Sequence, residues 1–305
     1  MRNDFRKILT PGPGGRGQAS GKTLFFDGGM GTELAARLVE PGPAASLTAP
    51  DAVLAIHRAY RRAGADVLLT NTFGANRPAM ARGKDAEKLP QCVAESCRLA
   101  REALGGGGYL AGDIGPTGDF LEPYGDMTPE AMREAFRELA DALAAGGVDL
   151  FIVETMNDKN EMALAVEACR AAASDIPVAA SMSFDPAPDG YRTNTGLSAA
   201  DAARAMAAAG ADIIGANCGS VAPLQMAEIV RAFRGVAGLP IVAQANAGLP
   251  ELQDGQTIYR LGPEAFASGM AEVEKAGAGL LGGCCGTTPA HIKALRRMME
   301  RRRRA

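Results

Sequence analysis

VDLFIVETM, residues 148–156, is a short run of apolar and β-branched residues that carries one carboxylate near its end, Glu154. A run this continuous lacks the polar alternation of a strand with one face in water. It is typical of a strand that is buried on both faces of a parallel sheet.

Seven similar runs recur along the chain, and each is followed by a polar or glycine-bearing loop and then by a helical pattern. They are TLFFDGG (23–29), ADVLLTNTF (65–73), GYLAGDIG (108–115), IPVAASMSF (176–184), ADIIGANCG (211–219), LPIVAQANAG (239–248) and AGLLGGCCG (278–286). Eight alternating strand and helix units over this length predict the α/β class and a (β/α)8 TIM barrel in a single domain. An open, doubly wound sheet is the alternative.

The boundaries of the barrel follow from composition and helix signals. Residues 1–21 are rich in Gly and Pro and are interpreted as a flexible N-terminal tail, which leaves 22–305 for the barrel domain. Thr128-Pro129, Ser198 and Thr288-Pro289 predict helix starts, because a hydroxyl can cap the first turn and Pro suits the first position.

Composition excludes several classes of protein. The chain has 305 residues, 47 % of them hydrophobic and 22 % charged, as in an ordinary globular protein. No apolar run approaches a membrane span, and the N-terminus lacks the apolar centre of a signal peptide, so we expect no membrane and a cytoplasmic location. The net charge of −3 gives no reason to expect nucleic acid, and the arginines 301–304 are read as the end of the last helix.

Barrel enzymes build their active sites at the carboxyl ends of the strands, so the residues that end each run are the candidate functional residues. These positions are reactive or polar in all eight runs. They are Asp27, Thr70, Asn71, Thr72, Asp113, Glu154, Ser183, Asp185, Asn217, Cys218, Asn246, Cys284 and Cys285. The remaining cysteines, Cys92, Cys97 and Cys169, fall within helical patterns and are predicted to lie in the core.

Three thiols, Cys218, Cys284 and Cys285, are therefore predicted to meet at one end of the barrel. Converging thiolates favour Zn²⁺, whose fourth position stays open in a catalytic site. A redox pair at Cys284-Cys285, with Cys218 in the core, is the alternative. Three thiolates make zinc a weak acid for hydrolysis, yet they leave a bound thiol deprotonated and nucleophilic, which favours alkyl transfer.

Seven motifs in order along residues 23–295 together resemble the homocysteine S-methyltransferase family, which includes the homocysteine-binding module of cobalamin-dependent methionine synthase. They are FFDGGMGTEL, LLTNTFGANR, GDIGPTGDFL, FIVETM, GANCG, QANAGLP and GGCCGTTPAHI. The resemblance implies a TIM barrel with zinc on Cys218, Cys284 and Cys285. It also implies that Asp27-Gly28, Thr72 and Glu154 hold the amino acid end of homocysteine.

Three further residues, Asp113, Asn217 and Asn246, are expected to line the same pocket or to fix its geometry. The sequence as a whole thus predicts a zinc-dependent S-methyltransferase that forms methionine from homocysteine. A methyltransferase for another small thiol, or a redox or metal-carrier barrel that uses Cys284 and Cys285, is the alternative.

The sequence restricts the candidate methyl donors to two classes. Betaine is disfavoured because an aromatic cage usually binds a quaternary ammonium group, and the chain has no Trp and five Tyr. No second domain follows the barrel in this sequence, and the DxHxxG pattern associated with cobalamin ligation is absent. We therefore expect a small sulfonium donor such as S-methylmethionine, or a separate methylcorrinoid protein.

Overall fold

A computed structural model describes residues 5–9, 23–253 and 255–304, and in these ranges eight parallel strands form a barrel inside a ring of helices. The barrel strands are β1 (Leu24–Phe25), β2 (Val67–Leu69), β3 (Tyr109–Ile114), β4 (Leu150–Met156), β5 (Val178–Met182), β6 (Ile213–Asn217), β7 (Ile241–Ala245) and β8 (Leu280–Gly283). The helix that follows each strand is, in order, α1 (Pro50–Ala63), α2 (Leu89–Leu104), α3 (Pro129–Ala145), α4 (Lys159–Ala172), α5 (Ala199–Ala208), α6 (Pro223–Arg234), α7 (Pro263–Ala276) and α8 (Pro289–Arg304).

Short helices and hairpins lie between the main strands and helices. Among the described residues, four short helices and one 3₁₀ turn lie at Arg6–Leu9, Met30–Ala35, Ala45–Thr48, Arg77–Arg82 and Ala86–Lys88. Two hairpins follow β5 and β7, and they pair Asp185–Ala187 with Gly190–Arg192 and Glu251–Gln253 with Gln256–Ile258.

The sheet closes on itself. Each strand pairs in parallel with the next one along the chain from β2 to β8, and β8 pairs with β1. A parallel bridge between Phe26 and Val67 joins β1 to β2, and the Asp27 N–H donates to the Val67 carbonyl at 3.1 Å. The predicted (β/α)8 barrel is confirmed, with each of the eight predicted runs containing one strand.

The barrel interior changes from apolar to polar along its axis. Its lower layers contain buried apolar side chains from every strand: Leu24, Phe26, Val67, Ala111, Leu150, Ile152, Ala179, Ile213, Val242 and Leu280. Because side chains alternate with a period of two, the next inward positions are two residues further on. Those positions include Asp113, Glu154, Ser181 and Gln244, so the upper end of the barrel is polar.

The predicted helix starts and core cysteines are also observed. The Thr128 hydroxyl accepts a hydrogen bond from the Ala131 N–H at 3.2 Å, and α3 begins at the following residue, Pro129. The Ser198 hydroxyl accepts from the Asp201 N–H at 3.2 Å, and α8 begins at Pro289. The three cysteines expected in the core, Cys92, Cys97 and Cys169, are buried.

The N-terminal tail is only partly described. Residues 1–4 and 10–21 of the predicted tail lie outside the described residues. Residues 5–9 include a short helix, and the Phe5 ring is buried against Tyr109, edge to face, with 5.0 Å between ring centroids. These residues therefore pack on the amino-terminal end of the barrel, because Phe5 covers the apolar lower layer. Within the described ranges, no helix has both the length and the apolar character needed to cross a bilayer.

Candidate functional site

Three sulfur atoms meet at the carboxyl end of the barrel. Cys218 is the first residue after β6, and Cys284 and Cys285 are the first two after β8. Their Sγ atoms all lie within 4.8 Å of one another, and 3.9 Å separates Sγ of Cys218 from Sγ of Cys285. The fold thus closes a gap of 66 residues between Cys218 and Cys284, because β6 and β8 both flank β7.

The backbone around these thiols is held in fixed turns. The Cys218 N–H donates to the Gln244 carbonyl at 3.3 Å, and the Cys284 N–H donates to the Ala245 carbonyl at 2.8 Å, so β7 anchors both sides. Cys218 has φ of +56°, a left-handed conformation that costs a non-glycine residue roughly 1–2 kcal/mol. In this conformation the Cys218 Sγ lies 3.9 Å from the Cys285 Sγ.

Glycine is required at the turn that follows the pair. Gly286 has φ of +74°, and a Cβ at this position would collide with the ring of Tyr259. The glycine-rich setting of the two cysteines is therefore a steric requirement of the turn.

The three sulfurs fit a zinc ion. Zinc bound to thiolates at about 2.3 Å in a tetrahedral site places the sulfurs roughly 3.8 Å apart. The observed 3.9 Å between Cys218 and Cys285 agrees with this spacing. Three thiolates would leave one coordination position for an external ligand.

Hydrogen bonding within the thiol cluster acts on the pKa of Cys285. The thiols of Cys218 and Cys284 lie within hydrogen-bonding range of Cys285 and lower the pKa of the Cys285 thiol. The hydroxyl of Tyr259, just beyond the hairpin after β7, lowers it further. Tyr259 was not foreseen in the sequence, since no motif marks it.

A cavity of about 340 Å³ opens beside the sulfurs. Seven of the ten predicted site residues line it, namely Asp27, Gly28, Asp113, Glu154, Cys218, Cys284 and Cys285. The other lining residues are Gly29, Met30, Gly31, Thr32, Pro41, Gly42, Leu69, Thr70, Asn71, Phe73, Thr155, Gln244 and Gly283. The cavity therefore connects the loop after β1 with the thiol cluster after β6 and β8.

Three buried carboxyl groups face this cavity. Asp27, Asp113 and Glu154 are 3 %, 5 % and 7 % exposed. Burial raises the pKa of all three, that of Glu154 to about 8, and the charge of Glu154 raises those of Asp27 and Asp113 further. Such a cluster is stabilised by protonation or by a positively charged ligand.

The Asn217 side chain lies between the buried acid Glu154 and the thiol of Cys284. Its Oδ1 accepts from the Thr155 N–H at 2.9 Å and from the Ser181 hydroxyl at 2.7 Å. Its Nδ2 donates to Thr155 Oγ1 at 2.7 Å and lies 3.5 Å from Glu154 Oε2 and 3.9 Å from Cys284 Sγ. Asn217 is absent from the cavity lining, so its position is that of a brace.

Thr72 and Asn246 do not line the cavity either. The Thr72 hydroxyl donates to the Asp113 carbonyl at 2.7 Å, which fixes the end of β3. The Asn246 amide donates to the Gly219 carbonyl at 2.8 Å, which fixes the turn after Cys218. Thr72 therefore supports Asp113, which lines the cavity, and Asn246 supports the residue that follows Cys218.

Gln244 is a cavity residue that the sequence reasoning missed. It is 2 % exposed and lies in β7, opposite Asn217 of β6 and Gly282 of β8. The signal was a single polar residue inside an apolar run, two positions after Val242, which points into the barrel.

Comparison with known proteins agrees with this geometry. Residues 24–299 match the family model described as homocysteine S-methyltransferase. The methionine synthase of Mycobacterium tuberculosis is 33 % identical over 297 residues, which cover 90 % of this chain and 24 % of that protein. The chain therefore spans about a quarter of the length of that relative.

Two further relatives are covered over most of their length. The S-methylmethionine–homocysteine S-methyltransferase BHMT2 of Mus musculus is 33 % identical over 297 residues, which cover 90 % of this chain and 78 % of that protein. The crystal structure of the metallated form of the homocysteine methyltransferase MmuM from Escherichia coli superimposes with a TM-score of 0.73. The match is 27 % identical and covers 90 % of this chain and 96 % of that one.

Proposed function

Because the chain belongs to the homocysteine S-methyltransferase family, we propose that it transfers a methyl group to the thiol of homocysteine and so forms methionine. The observation that carries the proposal is the convergence of Cys218, Cys284 and Cys285 beside a cavity lined by buried acids. This arrangement matches a substrate with a thiol at one end and an ammonium group at the other.

The thiol end of the substrate would lie at the sulfur cluster. Cys218, Cys284 and Cys285 would hold Zn²⁺, which would lower the pKa of the substrate thiol and keep it as a nucleophilic thiolate. The substrate sulfur then attacks the methyl carbon, and the bond from that carbon to its donor breaks with the electron pair staying on the donor.

The amino acid end would lie among the acids and the loop after β1. Glu154 and Asp27 would accept hydrogen bonds from the ammonium group. The short helix Met30–Ala35 begins without a side-chain cap at Gly29, so backbone N–H groups at Gly28 and in the first turn can bind the carboxylate. Thr72 would act through Asp113, whose carbonyl it holds.

Two donors remain in the proposal, and a different observation supports each. The name of the mouse relative supports S-methylmethionine, a small sulfonium. The exposed apolar side chains support a methylcorrinoid carried by a separate protein. Among the described residues, the large hydrophobic side chains that are exposed are Leu38, Phe73, Phe120, Tyr124, Leu224, Leu249 and Leu252. Each lies between the end of a barrel strand and the first turn of the next helix, so all of them lie at the carboxyl end of the barrel, where the cavity opens, and Phe73 lines the cavity itself.

A cytoplasmic location is part of the proposal. The reaction needs three reduced thiols at Cys218, Cys284 and Cys285, and a reducing compartment keeps them so. A redox pair at Cys284-Cys285 would instead cycle between thiol and disulfide without retaining zinc.

The test is a donor screen with zinc-loaded protein and homocysteine. S-Methylmethionine, betaine, methylcobalamin and a methylcorrinoid protein are offered in turn, and methionine is measured. We expect methionine with S-methylmethionine or the corrinoid protein, and none with betaine. The Cys218→Ser variant should lose both zinc and activity. No methionine with any donor, or full zinc in that variant, would contradict the proposal.

A further inference from the structure

The three cysteine sulfurs are all open to the cavity in which methyl transfer would take place. Cys218, Cys284 and Cys285 line this cavity, and each of them is partly exposed. A methyl electrophile that reaches a substrate sulfur on the metal can therefore also reach the cysteine sulfurs beside it. All of these sulfurs would be thiolates, so a chemical difference between them must favour the substrate sulfur.

Two of the cysteine sulfurs have a hydrogen-bond donor outside the thiol cluster, close by in the chain or in the barrel. The Asn217 Nδ2 donates to Cys284 Sγ at 3.9 Å. The backbone N–H of Gly219 lies within hydrogen-bonding range of the Cys218 sulfur. Both donors come from the end of β6 and the turn after it.

Tyr259 supplies the donor at the third sulfur. Its hydroxyl lies within hydrogen-bonding range of the Cys285 sulfur. The Tyr259 side chain packs directly on Gly286, the residue after Cys285, where an added Cβ would collide with it. The ring therefore lies against the turn that presents the Cys285 thiol.

The segment that carries Tyr259 is fixed to this turn and to α8. The Leu261 N–H donates to the Ala247 carbonyl at 3.0 Å, and the Ala247 N–H donates to the Cys285 carbonyl at 3.0 Å. The His291 Nε2 lies 2.8 Å from the Leu261 carbonyl, and it carries the proton because a carbonyl can only accept. The position of the Tyr259 hydroxyl thus depends on contacts on both sides of the residue.

These donors matter most when the cysteines have lost their protons. Metal binding requires thiolates, so hydrogen bonds between the three thiols would disappear while the donors on Asn217, Gly219 and Tyr259 remain. A hydrogen bond to a thiolate stabilises its charge, and a less basic thiolate is a weaker nucleophile. Because the cysteine sulfurs engage these donors, the substrate sulfur would stay the stronger nucleophile.

We propose that Tyr259 directs the methyl group to the substrate sulfur, because its hydroxyl weakens the Cys285 thiolate as a competing nucleophile. This inference rests on the proposed function and adds to it a residue that determines which sulfur is methylated. Without the hydroxyl, the Cys285 sulfur would bond to the methyl carbon, and the bond from that carbon to its leaving group would break with the electron pair on the leaving group. Cys285 would become a neutral thioether and would no longer be a thiolate ligand for zinc.

The test treats zinc-loaded protein with iodomethane, a small methyl electrophile, in the absence of homocysteine. Peptide mass spectrometry follows methylation of Cys285 and of Cys218 with time. In Tyr259→Phe, Cys285 should be methylated roughly 3- to 10-fold faster than in the wild type, because one hydrogen bond to a charged sulfur is lost. The rate at Cys218 should stay within about 2-fold, because its own donor, the Gly219 N–H, is unchanged.

Tyr191→Phe is the matched control, since it removes a hydroxyl that donates to Glu228 at 3.1 Å, in the hairpin after β5. Its cysteines should be methylated as in the wild type. Zinc content and circular dichroism verify that each variant is folded, and Tyr259→Leu, which also lacks the hydroxyl, decides the question if Tyr259→Phe does not fold.

The role of Tyr259 is overturned if Cys285 is methylated at the wild-type rate in the folded variant, or if the rate at Cys218 rises equally. This measurement uses neither homocysteine nor the natural methyl donor. A failure here therefore leaves the proposed function standing, whereas a donor screen that yields no methionine would overturn the proposed function itself.

Discussion

Glu154 shows how the site treats charge at the scale of a single residue. It is 7 % exposed, and burial raises its pKa to about 8, with the nearby Cys285 adding to the shift. A positively charged ligand beside it would lower that pKa again and favour the carboxylate. The carboxyl group is therefore suited to a substrate that brings an ammonium group.

We predict that Glu154→Gln raises the KM for homocysteine roughly 10-fold or more, because a charged acceptor for the ammonium group is replaced by a neutral one. Steady-state kinetics with a saturating donor measures the change. Zinc content should stay at the wild-type level, since Gln still accepts from Asn217. An unchanged KM would remove Glu154 from the substrate site.

His57 illustrates a residue whose effect is on stability. It is fully buried in α1, both ring nitrogens lack a partner among the described residues, and burial lowers its pKa from 6.5 to about 4. The unfolded chain thus binds a proton at a higher pH than the folded chain. The contribution of neutral His57 to stability is present above pH 6.5 and is lost as the pH falls toward 4.

We predict that the free energy of unfolding of the wild type falls by about 2 kcal/mol more than that of His57→Leu between about pH 7.5 and about pH 5. Urea unfolding of the two metal-free proteins at both values gives this difference. Using the variant as the reference cancels the titration of the other groups. Parallel pH dependence in the two proteins would count against a buried neutral histidine.

At the scale of elements, Asn217 connects the ends of four strands. It lies at the end of β6, bonds Thr155 of β4 and Ser181 of β5, and approaches Cys284 after β8. Thr155 has φ of +59°, an unusual conformation for a β-branched residue, and Cys218 has φ of +56°. Unfavourable backbone conformations at two residues next to one buried amide indicate that contacts with the surrounding structure stabilise the site geometry.

We predict that Asn217→Ala speeds the release of zinc to a chelator by roughly 10-fold or more. Removing a residue that orients the metal ligands typically changes metal affinity by that amount. Release is followed with a chromogenic chelator. Ser181→Ala is the matched control, since it removes one hydrogen bond to the same Oδ1 and leaves Nδ2 in place. Equal rates of zinc release in wild type and Asn217→Ala would show that Asn217 does not hold the metal-binding cysteines in position.

The strands, the helix starts and the three thiols could be predicted from the sequence because each depends on local pattern or on topology. Apolar runs identify strands, and the parallel barrel brings Cys218 to Cys284 whatever their separation. The cavity lining was harder to predict. Gln244 belongs to the QANAGLP motif, but only Asn246 of that segment was predicted to be a site residue, and Tyr259 lies in none of the motifs. Thr72 and Asn246 lie in supporting positions because side-chain direction at a strand end depends on local turns. The packing of Phe5 could not be predicted because it depends on tertiary contacts, whereas the Gly and Pro content of the surrounding segment favours a flexible tail.

Over the whole molecule, the chemical character of the barrel interior changes along its axis. The lower interior is apolar and is covered by Phe5, and the upper interior carries the acids and then the thiols. Exposed apolar side chains lie in the segments that follow the strands at the open end. A small substrate would thus enter a cavity whose wall carries buried acids and thiols, while a methyl donor approaches the exposed apolar side chains.

The proposed chemistry requires that three cysteines from two distant segments bind one metal ion whose remaining position takes the substrate sulfur. X-ray absorption at the zinc edge tests it directly, because it counts the sulfur ligands at about 2.3 Å. We predict three sulfur ligands per zinc in the protein alone and four after homocysteine is added. A sulfur count that does not rise with homocysteine, or fewer than three sulfurs in the protein alone, would contradict the account.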